Sequence, residues 1–135
     1  MIHLIKLAVG CDGVEALKNF QTERLRTFGH VFHLTRMTPK REHELTDGGS
    51  IYWVVKGQVA ARQRVLAVET DQDDEGRPRC RLILDPEVVE VELRPAKPFQ
   101  GWRYLKPEDA PRDRLPGYEE PPPEMAEELR RLGLI

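Results

Sequence analysis

The sequence predicts an α+β fold: a small, curved, mainly antiparallel sheet or barrel flanked by helices. Three observations lead there. The chain has 135 residues, about one domain's worth, and it can bury a core without disulfide staples. Its second half is a series of short segments rich in β-branched and aromatic residues, parted by glycine, proline and acidic turns. Its first half instead carries apolar residues at helical spacing. Short strands with two or three helices in one small chain suit an α+β domain.

Residues 2–9 are almost continuously apolar and predict a strand buried on both faces. Asp12, with Glu15 three residues on, marks a helix start. Val14, Leu17, Phe20, Leu25 and Phe28 then set an apolar stripe for a helix over 13–28, ended by Gly29. Residues 30–36 read as a strand with Val31 and His33 on one face and Phe32 and Leu34 on the other. Thr38 and Pro39 open a short helix reaching Leu45. Strands follow over 50–56 and 58–69, with Gly57 between them. An acidic turn over 70–78 leads to a return strand over 79–84, and Val89, Val91 and Leu93 alternate with charged residues in one more. Residues 95–123 hold eight of the eleven prolines and read as an extended surface loop. A closing helix over 123–132 carries Met125, Leu129 and Leu132 on one stripe, all within a single domain 1–135.

The charge balance of 21 Lys+Arg against 23 Asp+Glu excludes a polycation, so any anion binding needs a local patch. One exists in the sequence: residues 24–64 hold eight basic and three acidic residues, net +5, whereas 105–135 hold five and eight, net −3. Such clustering fits an anion groove or an ordinary solvated surface. No apolar run has the ~18–20 residues a membrane span needs, and the N-terminus lacks a signal peptide's basic start. Cys11 and Cys80 form neither a disulfide framework nor a zinc site, so a reducing cytoplasm is expected.

Residues 33–56 are densest in polar groups and aromatics. Tyr52 and Trp53 face opposite sides of a strand, so one belongs in the core and the other on a surface or pocket. Arg62 and Arg64 share a face with Ala60, Leu66 and Val68, which suggests a barrel mouth or a strand outrunning its core. Around Gly101, Phe99, Trp102 and Tyr104 interleave with Arg103 in the proline-rich stretch. They suit either base stacking with a phosphate clamp or anchoring of the loop. One of the three aromatics is expected to be buried and another to stay partly exposed beside basic residues. Arg36, Lys40, Arg41, Tyr52, Arg62, Arg64, Trp102 and Arg103 are therefore the candidate ligand residues, with the basic ones converging on one face. A hydrolytic site around Thr38, Lys40 and Glu44 has no specific spacing behind it. Asp71, Asp73, Glu75 and Gly76 mimic half an EF-hand loop, but Leu82 stands where a glutamate is required. No metal or cofactor is expected.

At TRMTPKR (35–41), GGSIYWVVKG (48–57), RQRVL (62–66) and PFQGWRYLKPEDAP (98–111), the chain resembles a bacterial family of proteins without assigned function. More distantly, strands 50–56 and 59–69 after a turn resemble the PUA-like superfamily of PUA, ASCH and EVE domains. That resemblance implies a small β-barrel with RNA or a modified nucleobase in a cleft beside it. Together these readings favour a non-catalytic module binding RNA or a modified base. The alternatives are a small hydrolase acting on a modified nucleoside, as in the ASCH branch, and a protein-interaction adaptor using the acidic tail.

Overall fold

The structure, a computed structural model, describes residues 1–114; the expected closing helix over 123–132 lies outside the described residues. In chain order the elements are β1 (His3–Leu7), α1 (Val14–Phe28), β2 (Val31–Thr35), α2 (Glu42–Thr46), β3 (Ser50–Val55), β4 (Gln58–Gln72), β5 (Pro78–Leu84), β6 (Val89–Pro95), β7 (Trp102–Leu105) and a 3₁₀ turn (Pro107–Asp109). The strands form one sheet in the order β2-β5-β4-β3-β1-β7, with β6 beside β4. β1 and β3 are parallel and all other pairings are antiparallel.

The fifteen-residue β4 sets the curvature. Residues 58–62 lie between β3 and β6, and the strand beyond Val65 pairs with β5. Register shifts at Val59/Ala61 and Val65/Ala67 bend it where it changes partners, as bulges do. The tight turn into β4 uses Lys56 at φ 51° and Gly57 at φ 76°, the left-handed pair that a two-residue hairpin requires. The result is a curled open sheet rather than a closed barrel, with α1 on its concave face.

Both faces are covered, so all six residues of β3 are buried. Inside the curl lie Ile2, Leu4, Leu17, Val31, Ile51, Trp53, Val65, Leu82 and Leu84. On the outer face Tyr52, Val54, Val59 and Val91 pack under Phe99, Ala96 and Ala110. Tyr52 and Trp53 face opposite sides, as expected: Trp53 sits inside the curl, and Tyr52, packed in the outer cluster, lines a pocket on that face.

Three local expectations are corrected. α1 starts after Gly13 rather than Asp12, without a side-chain cap, although Gly29 ends it in the left-handed conformation at φ 80°. Only one edge of the helix meets the sheet: Leu17 and Gln21 are buried, while Phe20, Leu25 and Phe28 remain exposed. Thr38 does not cap α2; Arg41 holds the N-cap position without a side-chain cap, and the helix begins four residues after Thr38. The stretch after residue 95 is also not all loop, because β7 pairs with β1 from Lys6↔Trp102 to His3↔Leu105.

The concave core has a polar centre. The fully buried Gln63 accepts hydrogen bonds at Oε1 from Trp53 Nε1 and Gln21 Nε2, both 2.9 Å, and donates through Nε2 to the Asp85 carbonyl at 3.0 Å. One side chain thus ties β4 to β3, α1 and the end of β5. Gln63→Leu strands these partners and should cost about 2–3 kcal/mol, the usual penalty for unpaired buried groups. Urea denaturation should show a lower midpoint at unchanged slope; an unchanged midpoint would mean the network adds nothing.

Candidate functional site

β2 and β7 are the two ends of the sheet path, and the curl turns them toward each other without joining them. Trp102 Nε1 donates to the Met37 carbonyl just past β2, at 2.8 Å, and clasps the seam. A cleft of about 460 Å³ opens there, lined by Lys6, Leu34, Thr35, Arg36, Met37, Arg79, Gly101 and Trp102. Beneath α1 lies a second chamber of about 180 Å³, walled by Leu17, Phe20, Gln21, Arg24, Phe32, His33 and Trp53. Lys6 and Leu34 line both chambers, so Lys6 stands where they meet.

Lys6 is placed by strand register. It lies opposite Trp53 of β3 and Trp102 of β7, so all three side chains share the concave face. Burial pushes its ammonium below the usual lysine range. Among the described residues it forms no ion pair, whereas half-buried cations are ordinarily paired. The inner chamber carries two more unsatisfied groups. Gln21 Oε1 and His33 Nε2 are buried without a hydrogen-bond partner in the described protein. His33 stacks edge-on against Trp53 at 5.1 Å. Arg24 lies over both Phe20 and Phe32 and donates to the Phe32 carbonyl. Cations, aromatic faces and unpaired polar atoms therefore converge on one concave site.

The sheet divides the residues picked from sequence. Arg36 and Trp102 line the cleft. Arg41 joins them through β7: its guanidinium lies over Tyr104 and its backbone N–H donates to Tyr104 Oη at 3.1 Å. Exposed Lys40 lies between Arg36 and Arg41 in the chain. Tyr52 and Arg62, paired across β3 and β4, line a separate pocket on the outer face with His3 and Asp113. Arg103 points to that side as well, over Phe99, because its strand neighbours Trp102 and Tyr104 take the opposite face. Arg64 is exposed opposite Ser50. Trp102 is the buried aromatic and Tyr104, 37% exposed, the open one beside Arg41.

Most of these arginines are already neutralised. Arg36 pairs with Asp73 at 2.9 Å, Arg41 with Glu44 at 2.6 Å and Arg62 with Asp113 at 2.7 Å. The Thr38, Lys40 and Glu44 trio does not assemble, since both Glu44 carboxylate oxygens engage Arg41. Sequence reasoning missed Lys6, Gln21, Arg24 and His33 as site residues. The available signal was a lone lysine inside an otherwise apolar strand, and a glutamine four residues after Leu17 on the helix face that meets the sheet.

His33 makes the site sensitive to acid. Burial, then the nearby charges of Lys6 and Arg24, lower its pKa from 6.5 to about 4. The unfolded chain therefore binds this proton first, and the stability is present above pH ~6.5 and lost as pH falls toward 4. The loss should reach about 3 kcal/mol. Urea midpoints of the wild type and His33→Asn should diverge in slope over that window, the wild type falling more steeply; parallel curves would contradict a neutral buried imidazole. Paired carboxylates such as Asp71 and Asp73 are common to both proteins and drop out of the difference.

No helix among the described residues is long and apolar enough to cross a membrane. Neither the curated proteins nor the solved structures contain a match to this chain. One family profile does match, described as protein of unknown function (DUF1489), and it spans residues 4–135. The chain belongs to that family, whose function is unassigned.

Proposed function

We propose that this protein is a binding module for a nucleobase-bearing anion, which it holds in the two-chamber cleft without transforming it. The observation that carries the reading is Lys6, a half-buried ammonium without an ion-pair partner among the described residues, set between Trp53 and Trp102. A planar ring in the inner chamber lies against Trp53, with the guanidinium of Arg24 on Phe20 and Phe32 forming the opposite wall, and base–aromatic stacking is worth ~1–3 kcal/mol. Gln21 Oε1 and His33 Nε2 offer hydrogen bonds to a base edge, where unsatisfied groups have most to gain. A negative group on the same ligand reaches Lys6 at the chamber mouth. The outer cleft, about 460 Å³, has the volume of a small-molecule site, and the inner chamber of about 180 Å³ extends it. The free thiols of Cys11 and Cys80 suit a reducing cytoplasm.

The test is a titration of tryptophan fluorescence with nucleoside monophosphates from a total RNA digest, modified bases included. Binding should change the emission of the two tryptophans, and Lys6→Met, which keeps the length of the side chain, should weaken it about tenfold, the worth of one buried charge-assisted contact. An unaltered affinity in a folded Lys6→Met protein would sink the reading, as would silence from every nucleotide at millimolar concentration.

A further inference from the structure

Resting on that reading, we infer that the cleft takes a free mononucleotide and excludes a nucleic-acid strand. A strand needs a track of unneutralised cations, because its affinity comes from counterion release along successive phosphates. The rim of this cleft offers the reverse. The β4–β5 hairpin projects beside it and carries Asp71, Asp73, Asp74 and Glu75. Two of these carboxylates occupy the arginines that line the cleft: Asp73 holds Arg36 at 2.9 Å, and Asp71 holds Arg79 at 2.7 Å. Asp71 also reaches Arg81 at 3.4 Å. Among the described residues, Lys6 and Arg24 are thus the cleft cations not taken by a carboxylate; Arg24 is held inside by the Phe32 carbonyl and two aromatic rings, and Lys6 sits at the inner floor rather than along the rim.

A single anionic group can reach Lys6, while the phosphates flanking it in a strand would meet a rim whose arginines, Arg36, Arg77, Arg79 and Arg81, are already neutralised by Asp71, Asp73 and Glu75. The rim acts as a charge filter on ligand length. Asp73 is well fixed in this role, since its Oδ1 accepts the backbone N–H groups of Glu75 and Arg77 at 3.0 and 2.9 Å, which holds the tip of the turn.

The experiment compares adenosine, the four ribonucleoside 5′-monophosphates and a twelve-nucleotide RNA of mixed sequence, each titrated at low and at fourfold higher salt. The best monophosphate should bind about tenfold more tightly than its nucleoside and lose at most about threefold in affinity over the salt range, through ordinary screening of one contact. The oligomer should bind no more tightly than the monophosphate. In Asp71→Asn/Asp73→Asn, where the asparagine oxygens can keep the turn, the oligomer should gain affinity and show a steeper salt dependence as Arg36 and Arg79 are released. An oligomer that outbinds the monophosphate in the wild type and loses roughly a hundredfold over the same range overturns the exclusion but leaves the cleft reading intact, provided Lys6→Met abolishes it. A double variant whose oligomer binding does not change overturns the filter. Failure of all four monophosphates together with those of the RNA digest, modified bases included, overturns the function itself.

Discussion

The bend in β4 is the constraint on which the other features depend. One strand serves two neighbourhoods, and register shifts flank the point where its partner on the edge away from β3 changes from β6 to β5. A bend of this kind brings the strand's inward side chains close to three other elements at once. Gln63 exploits the position: it is apolar enough in its stem to sit in the core and polar enough at its tip to satisfy Trp53, Gln21 and a carbonyl after β5. A buried amide with every partner in place specifies one arrangement of the elements more sharply than leucine packing does.

From that bend follows the open seam. Because β2 and β7 approach without a ladder between them, the backbone there is held by a side-chain clasp, Trp102 to Met37, instead of strand pairing. An unladdered gap leaves room for a cavity lined by side chains from β1, β2, β5 and β7. Lys6 belongs to this logic. A lysine in the middle of a fully paired and covered sheet would need a carboxylate beside it, but at the seam its head group opens on the cleft.

The strands and the first helix were legible in the sequence because their signals are local. Alternation at Val89, Val91 and Leu93, the Lys56-Gly57 turn and the Gly29 stop each depend on a few adjacent residues. β7 was not legible: Trp102-Arg103-Tyr104-Leu105 does alternate, but the prolines around it mask so short a strand, and its partner β1 lies almost a hundred residues away. The site was hidden for a related reason. A count of basic residues along the chain says nothing of their partners, and Arg36, Arg41 and Arg62 each find a carboxylate only in the folded structure. The significant cation was a single lysine in an apolar run, whose isolation becomes visible only when Trp53 and Trp102 are placed on either side.

The position of β1 also orders the assembly of the chain in time. The β3–β4–β5 meander closes through short turns, so its ladders cost little loop entropy. β1 emerges first from synthesis, yet both its neighbours come later: β3 from about 45 residues downstream and β7 from about 100. Its ladder to β3 can form once residue 55 is made, but its ladder to β7 waits for nearly the entire described chain, a high-contact-order step that is intrinsically slow. Until then the outer edge of β1 exposes pairing groups with no partner, the condition in which nascent chains are most open to aggregation or chaperone capture. The cavity and the last strand to lock thus mature together.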